Sequence, residues 1–350
     1  LIFSFYTVVI GWIFKYIYVV LTDLPKNVED AGALFGNMVT TDTTGQMAFY
    51  TLAFLVSFYV VSRGIKRGIE KLNLILMPLL FLILLFLLFY SFTLDGFSES
   101  MRFLFVPDFS KVTPLSILSA VGQAFFTLSL GMGTIMTYSA ALPKDANLVR
   151  SSFSVAFLDT AIAIIAGIVI FAIIFSFGAE PSQGAGLVFI SLPPLFNQMG
   201  MAGVVIGVGF FIALAFAGLT SAVSIVEPTT KYLTDRFGIS RIKALLVLGF
   251  LTYILGTLAL ISNIEALKSH VTFFGKGMFD LLDFSTSSIL LPLGGLIIAI
   301  FVGFVVEKER LIRLLGDQMP KAVFNTWYLL LRYVVPICIV VVIANQLFFS

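Results

Sequence analysis

Nine apolar segments, each long enough to cross a lipid bilayer, constrain the fold of this chain more than any other feature. All nine exceed the length of a membrane β-strand, about 10 residues, so we predict helices. The segments are residues 1–22, 46–62, 72–94, 114–142, 154–177, 201–232, 242–261, 278–306 and 324–349. The composition agrees, since 59% of the residues are hydrophobic and 11% are charged. The sequence therefore predicts an all-α polytopic membrane protein in the lipid bilayer.

Lysine and arginine are distributed unequally between alternate loops, which predicts the orientation. Fourteen lie in loops on one side: Arg63, Lys66, Arg67, Lys71, Lys144, Arg150, Lys231, Arg236, Arg241, Lys243, Lys308, Arg310, Arg313 and Lys321. Five lie on the other: Lys26, Arg102, Lys111, Lys268 and Lys276. Cytoplasmic loops carry the excess of positive charge, so we assign the first side to the cytoplasm. The first segment then runs outward, and the C-terminus lies outside.

The segment 114–142 is interrupted at its middle by small and polar residues. Ser129, Gly131 and Gly133 follow Thr127 at a depth where an uninterrupted helix favours Leu, Ile or Ala. Unwound chain at this depth is tolerated only where it faces protein, water or a ligand. Discontinuous helices of this kind form substrate and ion sites in secondary transporters. The alternative is a continuous helix whose small residues pack against a neighbour.

Asp159 lies near the start of an otherwise apolar segment, in LDTAIAIIAG. An ionised carboxylate inside a membrane costs about 2.5–3.5 kcal/mol on insertion scales, so Asp159 should have a cation or a proton as partner. We predict that it helps to neutralise bound sodium. The alternative is a solvated carboxylate at the cytoplasmic end of the helix.

Two adjacent hydroxyls, Thr220 and Ser221, lie at mid-segment in AGLTS, residues 217–221. Hard oxygen ligands of this type suit a small alkali cation. In membrane helices, however, Ser and Thr often bond the carbonyl four residues earlier. Both interpretations stay open from the sequence.

Several functions are disfavoured by what the chain contains. Its single cysteine, Cys338, excludes an internal disulfide or thiolate metal site, and its single histidine, His270, makes a histidine metal centre unexpected. Asp159 and Asp283 lie toward opposite membrane faces, and the sequence has no HExxH motif, so we expect no enzyme and no cofactor. The net charge of +2 gives no indication of a nucleic-acid partner.

Taken together, these motifs resemble the neurotransmitter:sodium symporter family, especially its bacterial amino-acid transporters with eleven helices. GQAFFTLSLGMG is similar to the sixth helix of that family and AGLTS to the eighth. The resemblance implies an inverted-repeat, five-plus-five helix fold in a single transporter domain, 1–350. Residues 1–94 would end the first repeat, 114–306 would form the second, and 324–349 an extra C-terminal helix. Because the chain begins inside an apolar run, we expect an N-terminal truncation that removes helices one and two.

The resemblance also implies roles for individual residues. Tyr6 would contact the substrate carboxylate, the turn around Ser129, Gly131 and Met132 would receive the rest of an amino acid, and Phe126 would be an aromatic lid. The side-chain pocket would be lined by Ile2, Val9, Met132, Ala222 and Ile225. This lining is apolar and carries no charge, which implies a neutral aliphatic or aromatic amino acid.

Sodium would bind at two sites by the same resemblance. The first would use Thr127 and Asp159, and the second the Ala217 carbonyl with Thr220 and Ser221. Asp159 departs from the asparagine frequent in the family, which implies that its charge replaces bound chloride and makes transport chloride-independent.

Two acidic residues would form gates. Asp283 would close the outer side and Asp235 the inner side, each with an arginine outside this chain.

The implied function is sodium-coupled import by alternating access, in the bacterial inner membrane. Two alternatives remain: a proton-coupled transporter of the same fold, in which Asp159 titrates, and an amino-acid sensor that does not transport.

Overall fold

The structure, a computed structural model, describes residues 1–143, 145–180, 184–273 and 275–348, without the side chains of residues 346 and 348. Helices α1 to α13 are, in order, Ile2–Thr22, Val28–Thr40, Thr43–Ser62, Ile65–Ser91, Phe97–Phe105, Pro114–Thr127, Thr134–Ser139, Leu148–Ser176, Leu187–Gln198, Met201–Phe237, Arg241–Ile261, Met278–Val305 and Lys308–Leu315. The last helix, α14, consists of Lys321–Leu329, Leu330–Val334 and Val335–Phe348. Strands β1 (Thr272–Phe273) and β2 (Lys276–Gly277) form an antiparallel ribbon.

The predicted spans agree with these helices. Among the described residues, 8 helices are long and apolar enough to cross a membrane, and they overlap eight of the nine predicted segments. The remaining segment, 114–142, is the one that is divided, into α6 and α7. Segment 201–232 was predicted too short, because α10 continues to Phe237 and ends where Gly238 adopts a left-handed conformation. Two residues used in the predictions lie outside the described residues. They are residue 349, the last of the segment 324–349, and Lys144, one of the basic residues of the cytoplasmic loops.

Five stretches of these helices are π-helical, and they lie at the start, in the middle or at the end of longer helices. Their bounds are Ile65–Glu70 in α4, Leu187–Ser191 in α9, Phe284–Leu290 and Phe301–Val305 in α12, and Leu330–Val334 in α14. Such turns shift the register of the helix and are frequent at functional sites.

The chain forms two compact units, of which the first comprises Leu1–Pro107 and Ala163–Leu282. Its central helix is α1, which packs against α3, α10 and α11. The buried tyrosines of this unit have hydrogen-bond partners: the Tyr16 hydroxyl donates to the Phe189 carbonyl at 2.9 Å and the Tyr50 hydroxyl to the Tyr253 carbonyl at 3.0 Å. The aromatic rings supply buried apolar area while their hydroxyls avoid the cost of burial without a partner.

Glycines allow the helices of the first unit to approach closely. A Cβ added to Gly11 would lie 2.8 Å from the Tyr50 backbone nitrogen, and one added to Gly256 would collide with the Tyr50 hydroxyl. Small residues at such crossings let helices pack by van der Waals contact where lipid offers no hydrophobic driving force.

The second unit comprises Asp108–Ile162 and Asp283–Ser350. It has a buried cluster formed by Leu311, Leu315, Phe324 and Tyr328. The Gln318 side chain accepts hydrogen bonds from the backbone N–H groups of Leu148 and Val149, at 2.8 and 3.3 Å, and thereby caps the start of α8. The short loop helix α13 and the start of α14 are thus fixed to the α8 terminus.

Candidate functional site

The break between α6 and α7 is the first part of the candidate site. Ser129, Gly131 and Gly133 have φ angles of 54°, 84° and 80°, in the left-handed region that α-helices do not enter. Backbone hydrogen bonding stops with the Leu130 N–H donating to the Phe125 carbonyl and resumes with Thr137 donating to Gly133. The predicted interruption is confirmed, and the alternative of a continuous helix is wrong. Between these points the backbone groups have no intrahelical partners.

Gly131 is required by close packing as well as by its φ angle. A Cβ at this position would collide with the Leu291 carbonyl oxygen and would lie 2.9 Å from the Gly295 nitrogen of α12. Conversely, a Cβ on Gly294 would meet the backbone of Gly131. The two backbones are therefore in direct contact, so the unwound turn is placed against protein, as its depth in an apolar segment demands.

The side chains predicted around this break differ in burial. Phe126, Ser129 and Met132 are half-buried and Thr127 is exposed, whereas Phe125 is buried. The Thr134 hydroxyl, at the start of α7, is buried and has no hydrogen-bond partner within the described part of the chain. The turn thus presents polar and apolar groups side by side.

Asp159 lies inside α8, eleven residues after its first residue, Leu148. At 1.5 Å per residue this is about 16 Å along the helix, so the carboxylate is not at the helix end. It is half-buried, and among the described residues it forms no ion pair or hydrogen bond, to Thr127 or to any other group. A carboxylate in this position lacks the neutralising partner that an apolar helix requires.

The other predicted ligands lie in the first unit, where α1 and α10 pack together. Gly218 makes this approach possible, because a Cβ there would lie 3.1 Å from the Ile10 side chain. One helical turn away on each helix, the Tyr6 hydroxyl and the Ser221 side chain lie next to each other. The structure therefore brings together one residue predicted to contact substrate and one predicted to bind sodium.

Thr220 forms the hydrogen bond to the carbonyl four residues earlier that was the alternative to sodium binding. Its buried hydroxyl donates to the Phe216 carbonyl at 2.9 Å and lies 3.0 Å from the Ala217 carbonyl oxygen. Donation uses the hydroxyl proton, but the Thr220 oxygen keeps lone pairs, and a carbonyl oxygen accepts more than one interaction. These atoms can therefore still coordinate a cation.

The predicted apolar lining residues of this unit lie on the same two helices. Ile2, Tyr6 and Val9 recur at helical spacing along α1, with Ile2 buried and Val9 half-buried. Ala222 is fully buried and Ile225 half-buried on α10.

The two predicted gating residues have partners in this chain. Asp235 forms an exposed ion pair with Lys231, at 2.9 Å between Oδ2 and Nζ. The exposed Asp283 accepts a hydrogen bond from the Ser287 hydroxyl at 2.8 Å, at the start of the π-helical turn of α12.

Glu227, the most buried charge among the described residues, was missed by sequence reasoning. Its side chain on α10 is fully buried and paired with Arg241, the first residue of α11, through Nη1 to Oε1 at 3.0 Å and through Nη2 to Oε2. Arg241 also donates from Nε to the Val61 carbonyl at the end of α3, at 2.8 Å. This pair joins three helices. A glutamate inside the apolar run AVSIVE was the signal that could have revealed it.

Two basic residues inside predicted spans were also missed. Lys15 on α1 pairs with Asp42, at 3.2 Å between Nζ and Oδ2. Arg332 on α14 contacts Tyr328 and has no carboxylate partner among the described residues.

Comparison with known proteins gives one family and several close relatives. The family model described as "Sodium:neurotransmitter symporter family" matches residues 35–349. A sodium-dependent transporter of Bacillus subtilis (strain 168), YhdH, is 38% identical over 352 residues, covering 99% of this chain and 76% of the relative. A sodium-dependent transporter of Haemophilus influenzae is 35% identical over 350 residues, with 99% and 76% covered.

A solved structure is also similar over nearly the whole chain. The crystal structure of MhsT in complex with L-phenylalanine has a TM-score of 0.87 and 40% sequence identity, and the match covers 99% of this chain and 78% of MhsT. This match confirms the predicted all-α, inverted-repeat transporter fold.

Proposed function

Because the chain belongs to the sodium:neurotransmitter symporter family, we propose that it imports a neutral hydrophobic or aromatic amino acid with sodium by alternating access. The family assigned from the sequence is confirmed, and with it a multi-pass membrane location. A bacterial inner membrane is the location that we propose. Sodium dependence follows from the family, which is one of transporters and not of enzymes. The single observation that carries the proposal is the unwound turn from Ser129 to Gly133 inside an apolar segment.

The substrate class follows from the chemistry of the assigned residues. Ile2, Val9, Ala222 and Ile225 in the first unit, and Phe126 and Met132 in the second, offer only apolar side chains, so an ionised substrate side chain would lack a partner. MhsT, the structural relative, is bound to L-phenylalanine. Met132 is unbranched and flexible, which lets one transporter accept several apolar shapes.

The α-amino and α-carboxyl groups of the substrate need polar partners. In this proposal the Tyr6 hydroxyl, which lies next to the Ser221 side chain, donates to the substrate carboxylate. The backbone groups freed between Leu130 and Gly133, together with Ser129, receive the remaining polar atoms. Binding of substrate and organisation of Ser221 are then coupled through Tyr6.

Two sodium sites are assigned to oxygen ligands of this chain. Thr127 and Asp159 would contribute to the first, and the Ala217 carbonyl with Thr220 and Ser221 to the second. Support for the first is a carboxylate that forms no ion pair among the described residues, inside an apolar helix. Support for the second is a group of hydroxyl and carbonyl oxygens on one turn of α10, on which Thr220 is buried and Ser221 is exposed. Asp283 and Asp235 are proposed as outer and inner gating residues.

The test is binding of labelled L-phenylalanine and L-leucine to the full-length protein, in sodium and in choline at fixed pH. Thr220→Val removes the hydroxyl while keeping the shape, and we expect sodium-dependent binding to fall at least about tenfold, or about 1.4 kcal/mol. Thr230→Val is the matched control, because Thr230 is also buried on α10 and also bonds the carbonyl four residues earlier. Binding that is indifferent to sodium and to Thr220→Val would contradict the proposal.

The same preparation separates the two alternatives. Counterflow in vesicles is expected for a transporter, whereas a sensor binds substrate without exchange. Uptake that persists in choline and follows a pH gradient would instead assign coupling to protons, with Asp159 as the titrating group.

A further inference from the structure

Two cations in the second unit converge on one buried tyrosine. The Lys308 ammonium lies 5.2 Å and the Arg332 guanidinium carbon 5.8 Å from the centre of the Tyr328 ring. Among the described residues neither cation forms an ion pair. Glu307 and Glu309, which flank Lys308 in the sequence, are exposed and do not pair with it. Two positive charges therefore lie next to the Tyr328 ring without an ion-pair partner in the described part of the chain.

The guanidinium of Arg332 is held in place by its surroundings. Its Nη1 donates to the Tyr328 hydroxyl at 2.9 Å, and that hydroxyl donates to the Gly303 carbonyl at 3.2 Å. The guanidinium carbon also lies 4.7 Å from the centre of the Phe304 ring. Arg332 Nε is buried and has no hydrogen-bond partner in the described part of the chain. An ordered guanidinium with unused N–H donors can bind an anion.

The backbone around this cluster is adapted to a close approach. Gly303 and Arg332 both lie in π-helical turns, in α12 and α14. A Cβ on Gly303 would lie 3.0 Å from the Arg332 Cα, so a larger residue would require the two helices to separate by a few tenths of an ångström. Two register shifts at one contact agree with a functional role for the cluster.

The cluster lies where a phospholipid headgroup can reach it. Tyr328 is seven residues after Lys321, the first residue of α14, or about 10 Å along the helix. The Arg332 side chain extends back toward that end of the helix, as long basic side chains do near a membrane surface. Around it, Phe304 and Tyr333 are 50% and 53% exposed, which indicates a lipid-facing surface. The adjoining loop is predicted to be cytoplasmic from its basic residues.

We propose that Lys308 and Arg332, arranged around Tyr328, bind the phosphate of an anionic phospholipid of the cytoplasmic leaflet. The charges are complementary, and basic sites between helices on the cytoplasmic side bind anionic headgroups in other membrane proteins. The Phe304 and Tyr333 rings would contact the lipid beside its headgroup. This binding is independent of the proposed transport mechanism, because none of these residues is assigned to substrate or sodium.

Native mass spectrometry of the delipidated full-length protein in detergent tests the proposal, with dioleoyl phosphatidylglycerol as the anionic probe and dioleoyl phosphatidylcholine as the zwitterionic one. We expect the wild type to bind the anionic lipid more tightly. Lys308→Gln and Arg332→Gln should each weaken that binding about fivefold, since a basic residue at a membrane surface contributes about 1 kcal/mol. Arg313→Gln is the matched control, because Arg313 is exposed on α13 and contacts no ring of the cluster.

Three results would overturn the proposal: equal affinity of the wild type for both lipids, an unchanged affinity in Lys308→Gln, or an equal loss in Arg313→Gln. Lys308 lies in a loop helix, so Lys308→Gln tests lipid binding even if Arg332→Gln does not fold. Arg332→Lys should keep most of the preference for the anionic lipid, since it keeps the charge.

Discussion

Glu227 and Asp159 are both carboxylates inside long apolar helices, but their surroundings are opposite. Glu227 is fully buried and its charge is neutralised by Arg241 within the same unit. Asp159 is half-buried and has no ion pair among the described residues. A membrane charge that the protein itself neutralises is part of the scaffold. A membrane charge without a partner in the protein is available to a ligand, and for Asp159 we propose that this ligand is sodium.

The largest expected effect comes from removing Arg241, the ion-pair partner of Glu227. Arg241→Ala leaves Glu227 buried without its partner and removes a donor to the Val61 carbonyl, so we expect the free energy of unfolding to fall by about 3–5 kcal/mol. Unfolding of the detergent-solubilised protein, followed by circular dichroism, measures this. Arg236→Ala, an exposed arginine on the last turn of α10, should change it by less than about 0.5 kcal/mol.

A paired replacement checks the cause. Glu227→Gln combined with Arg241→Met removes both charges and should recover most of the stability, because the buried charge has gone. No recovery would mean that the Arg241 contacts with α3, and not the ion pair, carry the effect.

The next largest effect concerns Asp159. Asp159→Ala removes a charge that has no ion-pair partner among the described residues, so the fold should be retained while sodium affinity falls at least about tenfold, or about 1.4 kcal/mol. Sodium titration of phenylalanine binding measures this, with Asp145→Ala as a control at an exposed carboxylate before the same helix. An unchanged sodium affinity would remove Asp159 from the site.

The chloride dependence of transport is a second test of Asp159. If the carboxylate replaces bound chloride, sodium-driven uptake by the wild type should be equal in chloride and gluconate. A marked chloride requirement would refute this role for Asp159.

The smallest effect belongs to Asp42, a third carboxylate, which lies at the start of α3 outside the spans. Burial raises the pKa of Asp42, but the hydrogen bond from the Gly45 N–H and the nearby Lys15 ammonium outweigh it and hold this pKa below its usual value. A lowered pKa in the folded state stabilises the protein above the unfolded pKa, about 3.9, and this stabilisation is lost as the pH falls through the lower pKa of the folded state.

The pair is partly exposed, so the contribution should stay below about 1 kcal/mol. Asp42→Asn should lower the unfolding temperature slightly at pH 7 and by less at about pH 2, where more of the folded protein carries a protonated carboxyl. An equal decrease at both pH values would assign the effect to the helix cap instead of to the charge.

The positions of the spans and of the break could be predicted because both depend on local composition. Length and hydrophobicity mark a membrane helix, and Gly131 and Gly133 in mid-segment mark its interruption, without knowledge of any neighbour. The partners of Glu227, Lys15 and Arg332 could not be predicted in this way, because each lies on another helix or depends on how the helix turns. Arg241 was assigned only to a loop, although its side chain reaches a buried glutamate.

By itself, the sequence determined that this chain is a bundle of membrane helices, where one of them is broken, and to which family it belongs. Bilayer thickness and the cost of unpaired backbone groups act on each segment separately, so the helices and the break can be derived locally. The family followed instead from the resemblance of GQAFFTLSLGMG and AGLTS to its sixth and eighth helices. Only the tertiary structure decided that Tyr6 lies next to Ser221 and that Lys308 and Arg332 share one tyrosine. Such pairings depend on which helix faces approach each other, and that is a property of packing between distant parts of the chain.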